Sequence, residues 1–239
     1  MLDNISIQNI LFLDIETVPQ VYEYNQLSAE VKALWDKKMQ YFRKEGEDDA
    51  ALYKRAGIYA EFAKIVCISV GIIDNQKTEL SFRLKSFYGD DEITILKEFS
   101  NLLSNRFNKK DMLLCAHNGK EFDFPFIARR MLINGIKLPS ALDIAGKKPW
   151  EVNHLDTLEL WKFGDYKNFT SLSLLASIFK IPTPKDDIDG SQVAEVYWEE
   201  KNLKRIVEYC QKDVVTVAQL LLRFKGMAPI ENKNVFIAP

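Results

Sequence analysis

The chain has 239 residues, 47% of them apolar and 28% charged, enough to bury a sizeable core and too many for a mini-protein. Its 32 basic and 34 acidic residues leave a net charge of −2, which argues against a broad basic face gripping duplex nucleic acid but leaves room for a small nucleic-acid site. Cys67, Cys115 and Cys210 lie far apart in apolar runs with no CxxC pair, so reduced core thiols are expected rather than disulfides or a zinc site. The N-terminus has no basic stretch ahead of an apolar one, and the apolar runs are far short of a bilayer span. A soluble, unprocessed, cytoplasmic protein is expected.

In chain order, Ile10 to Leu13 read as a buried strand running into Asp14, and Lys64 to Ile73 as a longer one rich in β-branched residues. Turn-forming residues 74–78 and the alternating segment 79–88 make the second strand half of an antiparallel hairpin. Ile95, Leu96, Phe99, Leu102, Leu103 and Phe107 recur at helical spacing. A fourth strand over 112–116 leads through the loop HNGKEF into a helix from about Asp123, which should stop at Asn134 and Gly135. Residues 153–156 read as a short fifth strand. Helices are expected over 170–180, 191–199 and 203–225, the last with a core stripe through Ile206, Cys210, Val214, Val217 and Leu221.

This order predicts one α/β domain, a mixed sheet of about five strands flanked by helices, with its core over about 8–226. Residues 20–62 do not fit the sheet and read as a helical insertion. The tail 227–239 reads as peripheral.

Three groups of acids stand out. Asp14 and Glu16 alternate at a strand end, so both project from one face unless the strand has already ended and they are solvated loop residues. Two like charges so placed repel unless protons or a cation lie between them. Asp123 precedes an apolar helix and reads first as an N-cap, and Asn118 with Gly119 as a turn. Tyr209 and Asp213 share one helix face at i and i+4, beside the core stripe, where a surface pair of Asp213 with Lys212 or Arg205 is the plain alternative. Oxygen ligands without His or Cys clusters suit hard divalent cations such as Mg²⁺ or Mn²⁺. His117 and His154 cannot build a zinc site of the usual kind.

Together, Asp14-Ile15-Glu16, the N-x-x-x-F-D-x-P run through Asn118, Phe122, Asp123 and Pro125, and the Y-x-x-x-D pair Tyr209 and Asp213 resemble the tyrosine branch of the DEDD superfamily of 3′–5′ exonucleases. Within it, the chain resembles the predicted exonucleases related to the proofreading domain of family B DNA polymerases. The segments KIVCISVGII, DGSQVAEVYW and YCQKDV extend the similarity over most of residues 10–225. The resemblance implies a ribonuclease H-like fold with five strands, the second antiparallel to the rest. It also implies that Asp14, Glu16, Asp123 and Asp213 bind two divalent ions, Mg²⁺ or Mn²⁺, and that Tyr209 orients the attacking water and helps remove its proton. Asn118, Phe122 and the backbone around Ile15 and Thr17 would then contact the terminal nucleotide.

The implied activity is hydrolysis of the 3′-terminal phosphodiester of single-stranded nucleic acid, DNA favoured over RNA, with release of nucleoside 5′-monophosphates. No polymerase-like segment follows residue 225, so a stand-alone or partner-recruited nuclease is expected. On the same reading, the 20–62 insertion either closes over the substrate channel or serves packing. Two alternatives share part of this pattern. An aspartyl-phosphate-type phosphatase would share the strand-end acids but leave Tyr209 and Asp213 unexplained, and a non-cleaving single-strand-binding module could use the same fold.

Overall fold

The computed structural model describes residues 2–43, 48–75, 79–109, 111–165, 169–182 and 188–238. Residues 76–78 of the turn expected over 74–78 and residues 44–47 of the 20–62 insertion lie outside them. Strand β1 (Ile10–Pro19) runs well beyond Asp14, and β2 (Ala63–Asp74) and β3 (Ser81–Tyr88) complete the expected hairpin. Gly71 in β2 faces the Phe82 ring so closely that a Cβ would lie 2.1 Å from it, which is why a glycine interrupts that apolar run. The remaining strands are β4 (Leu113–Ala116), β5 (Leu155–Asp156) and β6 (Val235–Ile237). The sheet order is β5-β4-β1-β2-β3-β6. Only β2 runs antiparallel to the others.

Among the described residues the sheet therefore has six strands rather than five. The sixth comes from the tail read as peripheral: β6 pairs with β3, and the Gln219 side chain bonds both the N–H and the carbonyl of Ile230 at 2.9 and 2.7 Å. A three-residue strand carries too little pattern to be seen in sequence, and its pairing covers an edge that β3 would otherwise leave open.

Residues between β1 and β2 form α1 (Ala29–Met39), α2 (Asp49–Tyr53) and short 3₁₀ turns. They enclose a small core of their own, with Trp35 edge-on to Tyr53, Tyr59 and Phe62. Then come α3 (Glu92–Arg106), α4 (Asp123–Ile133), α5 (Thr157–Lys162), α6 (Leu172–Ile178), α7 (Val193–Trp198) and α8 (Leu203–Phe224). Helix α4 stops as expected at Asn134, with Gly135 left-handed at φ 66°. The short helix α5 has no counterpart in the periodicity of the sequence. All three cysteines are free and buried.

Two apolar layers cover the sheet. Leu11, Leu13 and Ile15 of β1 pack toward α3 and α4 with Ile95, Phe99 and Ile127. Ile10 and Phe12 pack against Val214, Val217 and Leu221 of α8. No helix among the described residues is long and apolar enough to cross a membrane.

Candidate active site

The period-two alternation that buries Ile10 and Phe12 under α8 carries Asp14 and Glu16 to that same face. They are strand residues, not solvated loop residues. Cys210, on the core stripe of α8, lies opposite: Asp14, Glu16 and Cys210 each offer a ligand atom within 4.8 Å of the others. The Cys210 thiol donates to the Asp14 carbonyl at 3.4 Å. Because Tyr209 and Asp213 flank Cys210 and Val214 on the helix, packing that stripe against β1 brings both to the same carboxylates. The Tyr209 hydroxyl donates to Asp213.

Asp123 arrives from the opposite layer. Strand β4 pairs with β1 only from Ile10 to Phe12 and ends at Ala116, so beyond Phe12 that edge of β1 is open. The Asp123 carboxylate fills the gap by accepting the Ile15 N–H together with its own N–H. It is not the N-cap expected from sequence: Phe122 holds that position and Asp123 is the first helical residue.

The approach to Asp123 is fixed by the last residue of the segment read as a short fifth strand. Asp156 is 2% exposed and accepts four backbone N–H groups, from Asn118, Leu158 and Glu159 on one oxygen and from Lys120 on the other, at 2.9–3.3 Å. The Asp-Thr-Leu-Glu run at 156–159 is an N-capping signature, but its reach across to the 118–120 loop is visible only in three dimensions. Asn118 adopts φ 63°, a conformation Asn tolerates. A Cβ on Gly119 would lie 2.4 Å from that of Ala116 and 3.0 Å from the Phe124 ring, so this close turn requires glycine. His117 bridges Thr157 and the Thr170 carbonyl, and His154 bridges the Leu114 N–H and the Ala141 carbonyl. Both histidines are therefore used structurally.

The electrostatics follow from this convergence. Burial, and then repulsion from Asp213 and Asp123, hold the Asp14 carboxyl well above its ordinary range. Burial followed by Asp14 and Asp213 does the same to Glu16. Asp123 is pushed up to about 7, mainly by burial, against the pull of its two N–H donors. Burial and the charges of Asp213, Glu16 and Asp14 raise the Tyr209 phenol. One Asp14 oxygen, Oδ2, is fully buried with no hydrogen-bond partner.

The other sequence candidates take separate places. Ile15 contributes its backbone, its side chain being 5% exposed in the α3–α4 layer. The Thr17 hydroxyl donates to the Gly57 carbonyl at 2.7 Å, tying the 20–62 insertion to the strand just past Glu16. Phe122 packs beside Phe126 at 5.2 Å between ring centroids, and Asn118 stays on the loop held by Asp156. Cys210, read from sequence as core alone, also borders the acids.

Among solved structures the chain is similar to the family B DNA polymerase from the hyperthermophilic archaeon Pyrobaculum calidifontis, with a TM-score of 0.53 and 16% identity over 90% of this chain and 24% of that one. It thus spans about a quarter of the polymerase's length, and the likeness is one of fold. It is also similar to E. coli exonuclease I in complex with a 5cy-dA13 oligonucleotide, at a TM-score of 0.36 and 11% identity over 90% of this chain and 40% of that one. A family model described as "Predicted 3'-5' exonuclease related to the exonuclease domain of PolB" matches residues 58–234. That span holds the Asn118–Asp123 loop and the Tyr209–Asp213 face, while Asp14 and Glu16 precede it and are joined to them by the fold. The chain belongs to this family of predicted PolB-related 3′–5′ exonucleases.

Proposed function

We propose that the converging acids hydrolyse the 3′-terminal phosphodiester of single-stranded nucleic acid, DNA in preference to RNA, and release nucleoside 5′-monophosphates. The observation that carries this reading is the buried, unpartnered Oδ2 of Asp14 among carboxylates that raise one another's pKa. Such a set is stable in its charged form only with cations, and an all-oxygen set suits Mg²⁺ or Mn²⁺.

On this reading Asp14, Glu16 and Asp213 would hold one ion, and Asp14 with Asp123 a second. When bound, the two ions supply a lowered pKa for the attacking water and stabilise the entering and leaving oxygens of an in-line displacement. The Tyr209 hydroxyl, one helical turn from Asp213, would orient the attacking water. Phe122 offers a face for sequence-tolerant stacking, and Asn118 with the backbone at Ile15 and Thr17 grips the terminal nucleotide.

The test is digestion of a 5′-labelled single strand with Mg²⁺ or Mn²⁺, beside duplex DNA and RNA. A ladder shortening from the 3′ end is expected, lost in EDTA and reduced by at least about a thousandfold in Asp14→Ala. Undiminished cleavage by Asp14→Ala overturns the assignment. Binding without cleavage by the wild-type chain points instead to a binding module, and hydrolysis of p-nitrophenyl phosphate alone to a phosphatase.

A further inference from the structure

Beyond the carboxylates, β1 and β2 continue together: Glu16 pairs with Cys67 and Val18 with Lys64. Lys64 therefore leaves the sheet roughly 7 Å further along the strand direction. Its ammonium donates to the Tyr197 hydroxyl at 2.8 Å and lies 4.8 Å from the Tyr197 ring centroid and 5.2 Å from that of Trp198. Lys201 brings a second ammonium to within 4.9 Å of the same Trp198 ring. Lys64, Asp90, Tyr197, Trp198, Lys201 and Leu203 line a cavity of about 340 Å³. Tyr209 packs against the cluster of Val18, Val196, Tyr197 and Val207 that also seats Trp198 and Leu203, so the cavity and the acids border the same apolar cluster. The Trp198 indole N–H donates to the Pro19 carbonyl at 3.1 Å, fixing the cavity wall to the end of β1.

The charges here are incompletely matched. Among the described residues neither ammonium has a carboxylate within salt-bridge distance. Lys64 meets Asp90 only through the Tyr197 hydroxyl, which passes its own proton to Asp90 at 2.7 Å. Burial lowers the Lys64 pKa against the pull of Asp90 and Glu92, and the charge of Lys201 adds a smaller push in the same direction as burial. Lys201 is held at φ 54°, an uncommon backbone for a side chain of its kind. Two cations gathered on one indole are what an anion bridging them would stabilise.

We infer that the Lys64–Trp198–Lys201 cavity is a phosphodiester subsite, which grips the backbone of the single strand upstream of the 3′ end presented to the carboxylates. The identity of the anion as nucleic-acid backbone rests on the exonuclease reading; the cavity and its two cations do not. In a chain of net charge −2 with an acidic centre, a local pair of cations offsets the repulsion of a polyanion along its path.

The test measures binding of a 5′-fluorescent ten-nucleotide single strand by anisotropy in EDTA at several salt concentrations. Lys201→Asn removes the charge with a residue that tolerates the left-handed backbone. Its Kd is expected to rise about five- to tenfold and the slope of log K against log salt to shrink by about 0.7. Lys64→Met should do the same while keeping the side-chain stem, and Lys97→Asn, a lysine exposed on α3, should change neither quantity.

With Mn²⁺, the ratio of kcat/KM for the oligonucleotide to that for the p-nitrophenyl ester of thymidine 5′-monophosphate should also fall in Lys201→Asn. A wild-type Kd and salt slope in Lys201→Asn overturn the subsite, as does the absence of measurable binding by the wild-type chain. If the wild-type chain binds but hydrolyses neither substrate, the exonuclease reading fails and the binding arm still decides the subsite.

Discussion

The backbone N–H of Ile15 donates to the carboxylate of Asp123, joining the central strand to a helix of the opposite layer at the point where β4 has ended. The bond makes Asp123 both a structural acceptor and a member of the acidic cluster, and the two roles separate by substitution.

Asp123→Asn keeps an acceptor for the Ile15 N–H and removes the charge. Its thermal midpoint in EDTA should match or exceed that of the wild type, while exonuclease activity falls by at least about a hundredfold. Asp123→Ala leaves the Ile15 N–H buried without its acceptor and should lose a further 1–3 kcal/mol, read by urea unfolding with a cost of about that size.

Because Asp123 is pushed up to about 7 from an ordinary value of 3.8, the folded chain binds more protons there than the unfolded chain between these pH values. Its contribution to stability is therefore present at low pH and is lost as pH rises through about 7. Asp14 and Glu16 are shifted in the same direction. His117 and His154, lowered by burial, act oppositely at acid pH, so the informative quantity is the difference between variants. The midpoint of Asp123→Asn minus that of wild type, both in EDTA, should grow from pH 5 to pH 8. A difference that shrinks over that range contradicts the shift.

Divalent cations should reverse this loss. At pH 8, Mn²⁺ at a hundred times its Kd should stabilise the wild-type chain by about 2.7 kcal/mol, and the gain should diminish at pH 5, where protons compete for the carboxylates. No Mn²⁺-dependent shift at pH 8 would contradict the cluster's proposed use.

Asp156 acts on the site through the loop. Asp156→Asn exchanges one acceptor oxygen for a donor, so at least one of its four backbone N–H partners loses its bond. A loss of about 1–3 kcal/mol is expected. For a positioning residue, kcat should fall more than KM changes, because the loop carrying Asp123 loosens while the other acids stay in place. A loss of stability with unaltered kcat would make its role purely structural.

Glu92 and Arg130 form a buried bidentate pair at 2.8 and 2.6 Å, and Arg130 also donates to the Ala60 carbonyl at 2.8 Å, so α3, α4 and the end of the insertion meet there. Arg130→Met strands a buried carboxylate and should cost about 3–5 kcal/mol, a fall of roughly 10 °C in thermal midpoint. Adding Glu92→Gln, which keeps an acceptor for the Ile65 N–H, should recover most of it. No recovery would show that the buried charge is not the cause.

Sequence pattern alone determined the elements that carry strong periodicity: the β2–β3 hairpin, α3, α4 and the long amphipathic α8. It also determined that Asp14 and Glu16 share a face, since a strand's side-chain period admits no other outcome once the strand continues. Motif order gave the exonuclease resemblance that the family match bears out.

Only the tertiary structure decided what depends on where elements end relative to one another. Asp123 meets the Ile15 N–H because β4 stops short of it. Asp156 reaches from a helix start to a distant loop, and residues 235–237 become a strand because the edge of β3 is open beside them. Sequence periodicity reports which face of an element is buried, through apolar transfer. It does not report which polar group across the fold will meet an unpaired N–H, because that requires the positions of both partners.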